Sequence, residues 1–449
     1  MSCFVRRGAS LGAIGLVTAA PFGVATAQDA DPADGGVLVE LVGSQTVLAS
    51  DNFDLEDPAD GSVVALTGLG GAISSVTRSN AFVLGFQVGL EVDEEGFELG
   101  DSGIDLSYMM MGRDSEFELF ADYLRSSITT EILEDGDVDF SVTSGTRNTY
   151  GYGARLLLGA EGPFTFALEG ERRSVEFDSQ DPDATDSRSF VLDGSVSAAV
   201  DRATVLRVTA GYTETDEDDP ADTFETTTSV GLGITRALGN ATSVSADINW
   251  QEVRTTTVGT DVTNGIGGRL AIDRDLPNGS LGASAERVIT VDGAIDEFRV
   301  NRQIEFPASA LGLEAGIVIT GGDTVSPLLG IAYERLAPDG ALTFSVTQSA
   351  DIDSDDQTVL RTVGSAAYTQ NINDLSSYSA QLSVANQSVI GVDDTTRRID
   401  GALVYSRALT DNVSLSTGYE HARIFETGTD ERVSNTVFVT ISRVFSARP

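Results

Sequence analysis

The sequence predicts an all-β chain: a transmembrane antiparallel up-and-down β-barrel of about 22 strands, roughly 18–22 being compatible with the pattern, with short periplasmic turns and longer acidic extracellular loops. Three observations carry this reading. Apolar residues recur at every second position, as where Phe82, Leu84, Phe86, Val88 and Leu90 interleave with Val83, Gly85, Gln87, Gly89 and Glu91. Leu281, Ala283 and Ala285 alternate with Gly282, Ser284 and Glu286 in the same way. Successive strand residues point to opposite faces, so each segment builds a sheet with one apolar and one polar side. The connections between segments alternate between tight turns and longer acidic stretches, and the chain opens with an export signal. In a soluble sandwich the apolar faces would meet in a core. In an exported chain with this loop asymmetry they face lipid, around a closed barrel that leaves no backbone unpaired.

Residues 1–27 read as a signal peptide. Arg6 and Arg7 supply the charged start, Leu11 to Val24 the short apolar region, and Ala25-Thr26-Ala27 the small-residue cleavage site. The arginine pair suggests the twin-arginine route, but its flanks fit ordinary export better. Cys3, the single cysteine, precedes the apolar region and leaves with the signal, so the mature chain has no disulfide. Residues 28–36 read as a flexible periplasmic leader, and 37–449 as one barrel domain.

The net charge is -41, and loss of Arg6 and Arg7 leaves the mature product still more acidic. Nucleic acid and anionic lipid surfaces are excluded as general partners, because phosphate attraction needs a basic patch. The acidity fits a solvated surface, with loose Ca²⁺ bridging at the acidic loops as the alternative. A hydrophobic content of 41% is what a barrel requires, since only alternate strand residues are apolar.

The predicted strands run from 37–48 to 433–445. Tight-turn chemistry marks Leu238-Gly239-Asn240, Pro277-Asn278-Gly279, Pro307-Ala308-Ser309, Pro338-Asp339-Gly340 and Thr410-Asp411-Asn412. The longer acidic connections include Asp51 to Gly61, Asp178 to Ser187, Thr215 to Thr223 and Asp351 to Asp356. The last segment, Val437 to Phe445, resembles the closing strand of outer-membrane barrels, although Arg443 and a Ser-Ala-Arg-Pro tail depart from that pattern. That resemblance implies recognition by the barrel-assembly machinery through the strand ending at Phe445.

A repeat of about 28–38 residues, each a strand, an arginine, a turn and a strand, passes through Arg202, Arg236, Arg274, Arg302, Arg335, Arg407 and Arg443, with Gln370 in the corresponding place once. These arginines share the parity of the apolar residues and sit by the short turns, so they are candidates for the periplasmic interface, snorkelling to lipid phosphates. Polar residues also flank turns for no other reason than solvation. All ten tyrosines share the apolar parity, as interfacial girdles require.

The opposite parity gives the pore lining: Arg155, Glu169, Arg173, Asp193, Arg207, Asp247, Arg269, Glu286, Arg299, Glu314 and Glu334. Charges of both signs on a wall read as free of apolar residues imply water inside. The acidic excess predicts a preference for cations, and pairing of the charges across strands would stiffen the wall as well.

No catalytic, cofactor or metal residues are assigned. His421, the single histidine, stands at the loop end of a strand with Ser416 and Glu420 nearby, which is thin support for a hydrolase. Asp351-Ile352-Asp353-Ser354-Asp355 imitates a calcium loop but has Asp356 and Thr362 where Gly and Glu belong.

Leu48-Ala49-Ser50-Asp51-Asn52, the strand endings Thr235-Arg236-Ala237-Leu238 and Ser406-Arg407-Ala408-Leu409, and the closing Ser442-Arg443-Val444-Phe445 resemble uncharacterised outer-membrane β-barrels of porin type, some of them linked to exopolysaccharide export. The resemblance covers most of the mature chain. It implies the outer membrane of a Gram-negative bacterium, outer-membrane lipids as surroundings, and passive passage of a solute or polymer. A porin-like, cation-leaning channel is the first expectation; a surface scaffold or adhesion barrel and an exopolysaccharide conduit are the alternatives. TonB-type transport is not expected, because no plug-sized domain precedes the first strand. So wide a barrel without an infolded loop would leave a large aqueous hole.

Overall fold

A computed structural model shows a single sheet of 22 antiparallel strands closed on itself. It describes residues 36–447 apart from 54, 56–58, 60, 93–95, 128–144, 180–183, 220–221, 258, 291–292, 321–323, 353–357, 390–394 and 429–430. The expected signal peptide, residues 28–35 of the leader and most of the calcium-like stretch lie outside the described residues.

The strands are β1 (Gly36–Ser50), β2 (Ser62–Val76), β3 (Asn80–Val92), β4 (Phe97–Met111), β5 (Ser115–Ser127), β6 (Thr146–Leu158), β7 (Phe164–Asp178) and β8 (Ser187–Ala199). There follow β9 (Thr204–Glu217), β10 (Thr223–Ala237), β11 (Thr242–Thr256), β12 (Thr260–Leu276), β13 (Gly279–Thr290), β14 (Gly293–Phe306) and β15 (Ser309–Thr320). The circuit is completed by β16 (Thr324–Ala337), β17 (Gly340–Ile352), β18 (Thr358–Asn373), β19 (Ser376–Val389), β20 (Thr395–Thr410), β21 (Val413–Glu426) and β22 (Arg432–Ala447). Each strand pairs with its sequence neighbour, and β1 pairs with β22 from Val39 opposite Ala447 to Ser50 opposite Thr436. Every expected strand is present, and the expected number is the observed one.

Two ends follow from this circuit. The turn end holds the connections from even to odd strands, together with the start of β1 and the end of β22. At that end Gly279, with φ +122°, takes a backbone shape that a side chain would strain. The loop end is tighter than expected. Only residues 257–259, 291–292 and 321–323 separate β11 from β12, β13 from β14, and β15 from β16. The expected loop 215–223 is shortened to 218–222, because β9 continues to Glu217 opposite Thr223. Polar residues beyond the apolar band go on pairing their backbone groups, which satisfies those groups as well as water does and keeps the ladder growing.

One bulge changes the face assignment. Gly89 of β3 faces two residues of β4, Gly100 and Asp101, between the pairs Val88–Ser102 and Leu90–Leu99. A side chain on Gly89 would meet the Asp101 carbonyl oxygen at 2.7 Å. Below the bulge the outward parity of β4 switches, which brings Leu99 and Phe97 onto the apolar face.

The closing seam is bonded on both faces. Inside, Thr46 and Thr440 hydroxyls lie 2.8 Å apart, Ser50 and Ser434 3.1 Å, and Thr436 donates to Ser50 at 2.9 Å. Outside, Asp51 accepts the Asn435 backbone N–H at 2.6 Å and its side-chain amide at 2.8 Å. Asn435 Oδ1 in turn accepts the Tyr419 hydroxyl at 2.6 Å and lies 2.9 Å from His421 Nδ1. His421, at the loop end of β21, is therefore tied to the seam through Asn435.

The Asn435 side chain and backbone N–H hold the Asp51 carboxyl below its ordinary range. A depressed folded value stabilises above the unfolded pKa, and the gain is lost as pH falls through the folded one. Protection of the Asn435 amide from hydrogen exchange is therefore expected to drop below about pH 4. In Asp51→Asn that acid-dependent step should vanish; an unchanged pH profile in the variant would discount the contact.

Candidate functional site: the inner wall

A closed barrel has one face toward lipid and one toward its bore. The large exposed apolar side chains, among them Leu232, Ile248, Trp250, Ile266, Leu270 and Phe298, lie on one parity, and in a membrane this must be the outer one. All ten tyrosines share that face. Tyr123, Tyr150 and Tyr212 lie toward the loop end, and Tyr108, Tyr333, Tyr368, Tyr378 and Tyr405 toward the turn end. Their hydroxyls find polar partners such as Asn80 for Tyr108 at 3.2 Å and Asn148 for Tyr123 at 3.1 Å, the arrangement of an amphipathic ring at a water boundary.

The registers carry all eleven expected lining residues to the opposite face. In one row Arg207, Gly233, Asp247, Arg269, Glu286 and Glu297 are successive partners from β9 to β14. Four of the five arginines expected in the lining are engaged by carboxylates. Arg155 Nε lies 2.7 Å from Glu169 and its Nη1 3.7 Å from Glu118. Arg207 lies 2.6 Å from Asp247, and Arg269 3.7 Å from Glu286. Arg299 lies 2.9 Å from Glu297 and bonds Glu314. Pairing across strands is thus a fact of this wall. The side chains are half-exposed, so each pair adds little stability and serves mainly to hold guanidinium groups flat.

Glycine makes the flattening geometric. Arg207 and Asp247 are separated by a whole strand and meet across Gly233, whose missing side chain would stand 2.1 Å from the Asp247 carboxylate. Asp105 lies over Gly85 and Asp122 over Gly151 in the same manner. Arg173, Asp193 and Glu334 occupy the wall at their expected places, without an ion pair among the described residues.

The expectation of a wall free of apolar residues is overturned. Leu48, Val64, Val404 and Phe438 form a buried cluster on the inner face of the seam, with Phe53 and Leu66 packed on it. Val318, Leu328 and Val359 are 0% exposed on the same parity. A residue on the side of a wide water-filled bore would be wet, so the wall is covered here. At the seam the residues after β1 take part: Asn52 and Leu55 are buried, and Asn52 Nδ2 donates to the Val433 carbonyl at 3.1 Å.

Polar groups accompany this covered sector. Arg398 Nε donates to both oxygens of Asp400, at 3.1 and 3.0 Å, and both side chains are buried. Glu420 is buried on the neighbouring strand, its Oε1 without a hydrogen-bond partner. The rest of the sector is rich in hydroxyls, with Ser345–Ser365 at 2.7 Å, Ser406–Ser416 at 3.0 Å and Ser414–Ser442 at 2.6 Å. Alternation alone did not single out the apolar cluster or the Arg398–Asp400 pair. A usable signal was present in β1, where Leu38, Val42 and Leu48 are apolar on the inner parity as well as Val39, Leu41 and Val47 on the outer, the mark of a strand covered on both faces.

No protein-family model matches the sequence, and no curated protein matches it. Solved structures do match in shape. The FrpB iron transporter of Neisseria meningitidis superposes with a TM-score of 0.59 at 9% identity, over 93% of this chain and 83% of that one. The ferric enterobactin receptor of Pseudomonas aeruginosa gives 0.56 at 12% identity, over 90% and 81%. The copper transporter OprC gives 0.54 at 12% identity, over 92% and 81%. At such identity the likeness is one of fold. Together with the lipid-facing apolar surface it makes this chain a 22-stranded outer-membrane β-barrel.

Proposed function

We propose that the barrel is an outer-membrane transport channel through which solutes pass passively, with cations favoured over anions. The observation that carries the selectivity is the balance of charge on the inner wall. Arg155, Arg207, Arg269 and Arg299 are held by carboxylates, while Asp105, Asp122, Glu171, Asp193 and Glu334 have no arginine partner among the described residues, against Arg173 without a carboxylate. Carboxylates left over after pairing lower the barrier for positive solutes. That barrels of this shape belong to proteins described as iron and copper transporters supports transport as the class of function. This reading asks no catalysis and no cofactor of the chain. It includes delivery to the membrane by the barrel-assembly machinery acting on the strand that ends near Phe445.

Planar-bilayer recordings under a KCl gradient test it. The expected reversal potential is that of a cation-selective pore, and the combined Glu171→Gln, Asp193→Asn and Glu334→Gln variant should move it toward zero. Anion selectivity in the unaltered protein, or no conductance at all, would overturn the reading.

A second reading, a conduit for a polysaccharide, is favoured by the hydroxyl-lined sector from β17 to β22, because serine and threonine offer a sliding polymer interchangeable hydrogen bonds. Current block by a neutral glucan, relieved in the Ser345→Ala, Ser406→Ala and Ser414→Ala combination, would select it over the first.

A further inference from the structure

The outer face at the turn end carries a row of arginines that the pore does not use. Arg236, Arg274, Arg302, Arg335, Arg407 and Arg443 lie near the ends of β10, β12, β14, β16, β20 and β22, and Arg202 lies in the turn before β9. They share the face of the apolar residues: Arg274, for example, is in register with Leu281, and Leu281 with Arg302. Among the described residues none of the seven forms an ion pair with a carboxylate, in a chain where acidic residues outnumber basic ones 69 to 28. All 28 basic residues are arginine, the side chain whose planar fork matches a phosphate.

On β18, where the row has Gln370 instead of arginine, the surface opens into a cavity of about 420 Å³ lined by Ile372, Asn373, Asp374, Leu375, Ser376, Tyr405 and Arg407. Gln370 is turned away from it, donating to Asp339 at 2.7 Å. Arg407 is in register with Ser376, whose hydroxyl receives that of Tyr405 at 3.3 Å, so a cation and two hydroxyls share one side of the cavity. Asp374 places a carboxylate on the same cavity from the turn, where Leu375 also borders it, while Ile372, more than half exposed, borders it on the apolar face of β18.

We propose that this cavity seats a zwitterionic phospholipid headgroup of the phosphoethanolamine type. Its phosphodiester meets Arg407 and the two hydroxyls, its ammonium meets Asp374 in the turn, and its acyl chains run past Ile372 and Tyr405 toward the lipid-facing band. The remaining arginines of the row stand on the same face without a seat of this kind, Arg302 donating to the Ser280 carbonyl and Asn278 and Arg443 lying over the Phe445 ring. A fixed lipid at the rim anchors the barrel at a set depth in the membrane, whatever passes through it.

Native mass spectrometry of the intact barrel in detergent tests this with added phosphatidylethanolamine, phosphatidylglycerol, diacylglycerol and free phosphoethanolamine. The ethanolamine lipid should be retained in preference to the glycerol lipid, and diacylglycerol should not be held. Arg407→Gln should weaken both phospholipids about tenfold, the loss expected for one charge-assisted contact. Asp374→Asn should weaken the ethanolamine lipid alone. Should Arg407→Gln fail to give the heat-modifiable band of a closed barrel, Arg407→Lys, which keeps the charge but loses the fork, should show an intermediate loss. Equal retention of diacylglycerol, or unchanged binding in the arginine variants, overturns the seat. No effect of Asp374→Asn overturns the headgroup assigned, and equally tight free phosphoethanolamine overturns a lipid as the occupant.

Discussion

Arg398→Met is expected to destabilise the folded barrel by about 3–5 kcal/mol, the usual cost of stranding one member of a buried ion pair. Asp400 has its two oxygens 3.0 and 3.1 Å from Arg398 Nε, and the two side chains are 6% and 4% exposed. Without the guanidinium the carboxylate must stay charged in a dry place or take up a proton, and both are unfavourable. The double replacement Arg398→Met with Asp400→Leu removes both charges and should return to within about 1 kcal/mol of the native barrel. Urea titration of barrels folded into vesicles measures this, with fluorescence of Trp250, the single tryptophan, reporting from the lipid-facing surface. A single variant as stable as the double would show that the pair is wet.

Phe438→Ala is expected to cost about 3–5 kcal/mol, as for large aromatic truncations in cores. Phe438 is 4% exposed, opposite Leu48 on one side and Gly418 on the other. Its ring lies over Gly418, where an added Cβ would meet the ring at 2.6 Å. By contrast Phe445 is 48% exposed on the outer face, and its truncation should change the folded state by much less. Hydrogen exchange across the β1–β22 pairing separates the two, because the first variant should open that ladder specifically. Equal protection in both would mean that the cluster merely lines the bore.

The strand number and the two faces were legible because alternation is a local signal, repeated in every strand and enforced by one apolar environment. The same alternation placed Arg155, Asp247 and Glu286 on the inner wall, since parity alone decides face once a strand is known. It could not pair Arg207 with Asp247, which needs a register and the empty space over Gly233. Gly89 shows a second limit: one extra residue in β4 reverses parity, so Phe97 and Leu99 change sides. The covered inner sector escaped notice for a third reason. Leu48, Val64, Val404 and Phe438 come from four strands and the Arg398–Asp400 pair from the same region, and only closure of the sheet brings β1 beside β22.

That closure governs how the protein can come to exist at all. Thr46 and Thr440 touch across 394 residues of sequence, so the contact that completes the cylinder must wait for nearly the whole polypeptide. Until then the first and last strands are bare edges with apolar flanks, the kind of template on which chains aggregate. Loop-closure entropy makes such a distant pairing slow. Its acidic composition offers a kinetic safeguard here: mutual repulsion between unfinished copies keeps them apart while each waits for its own two ends to meet.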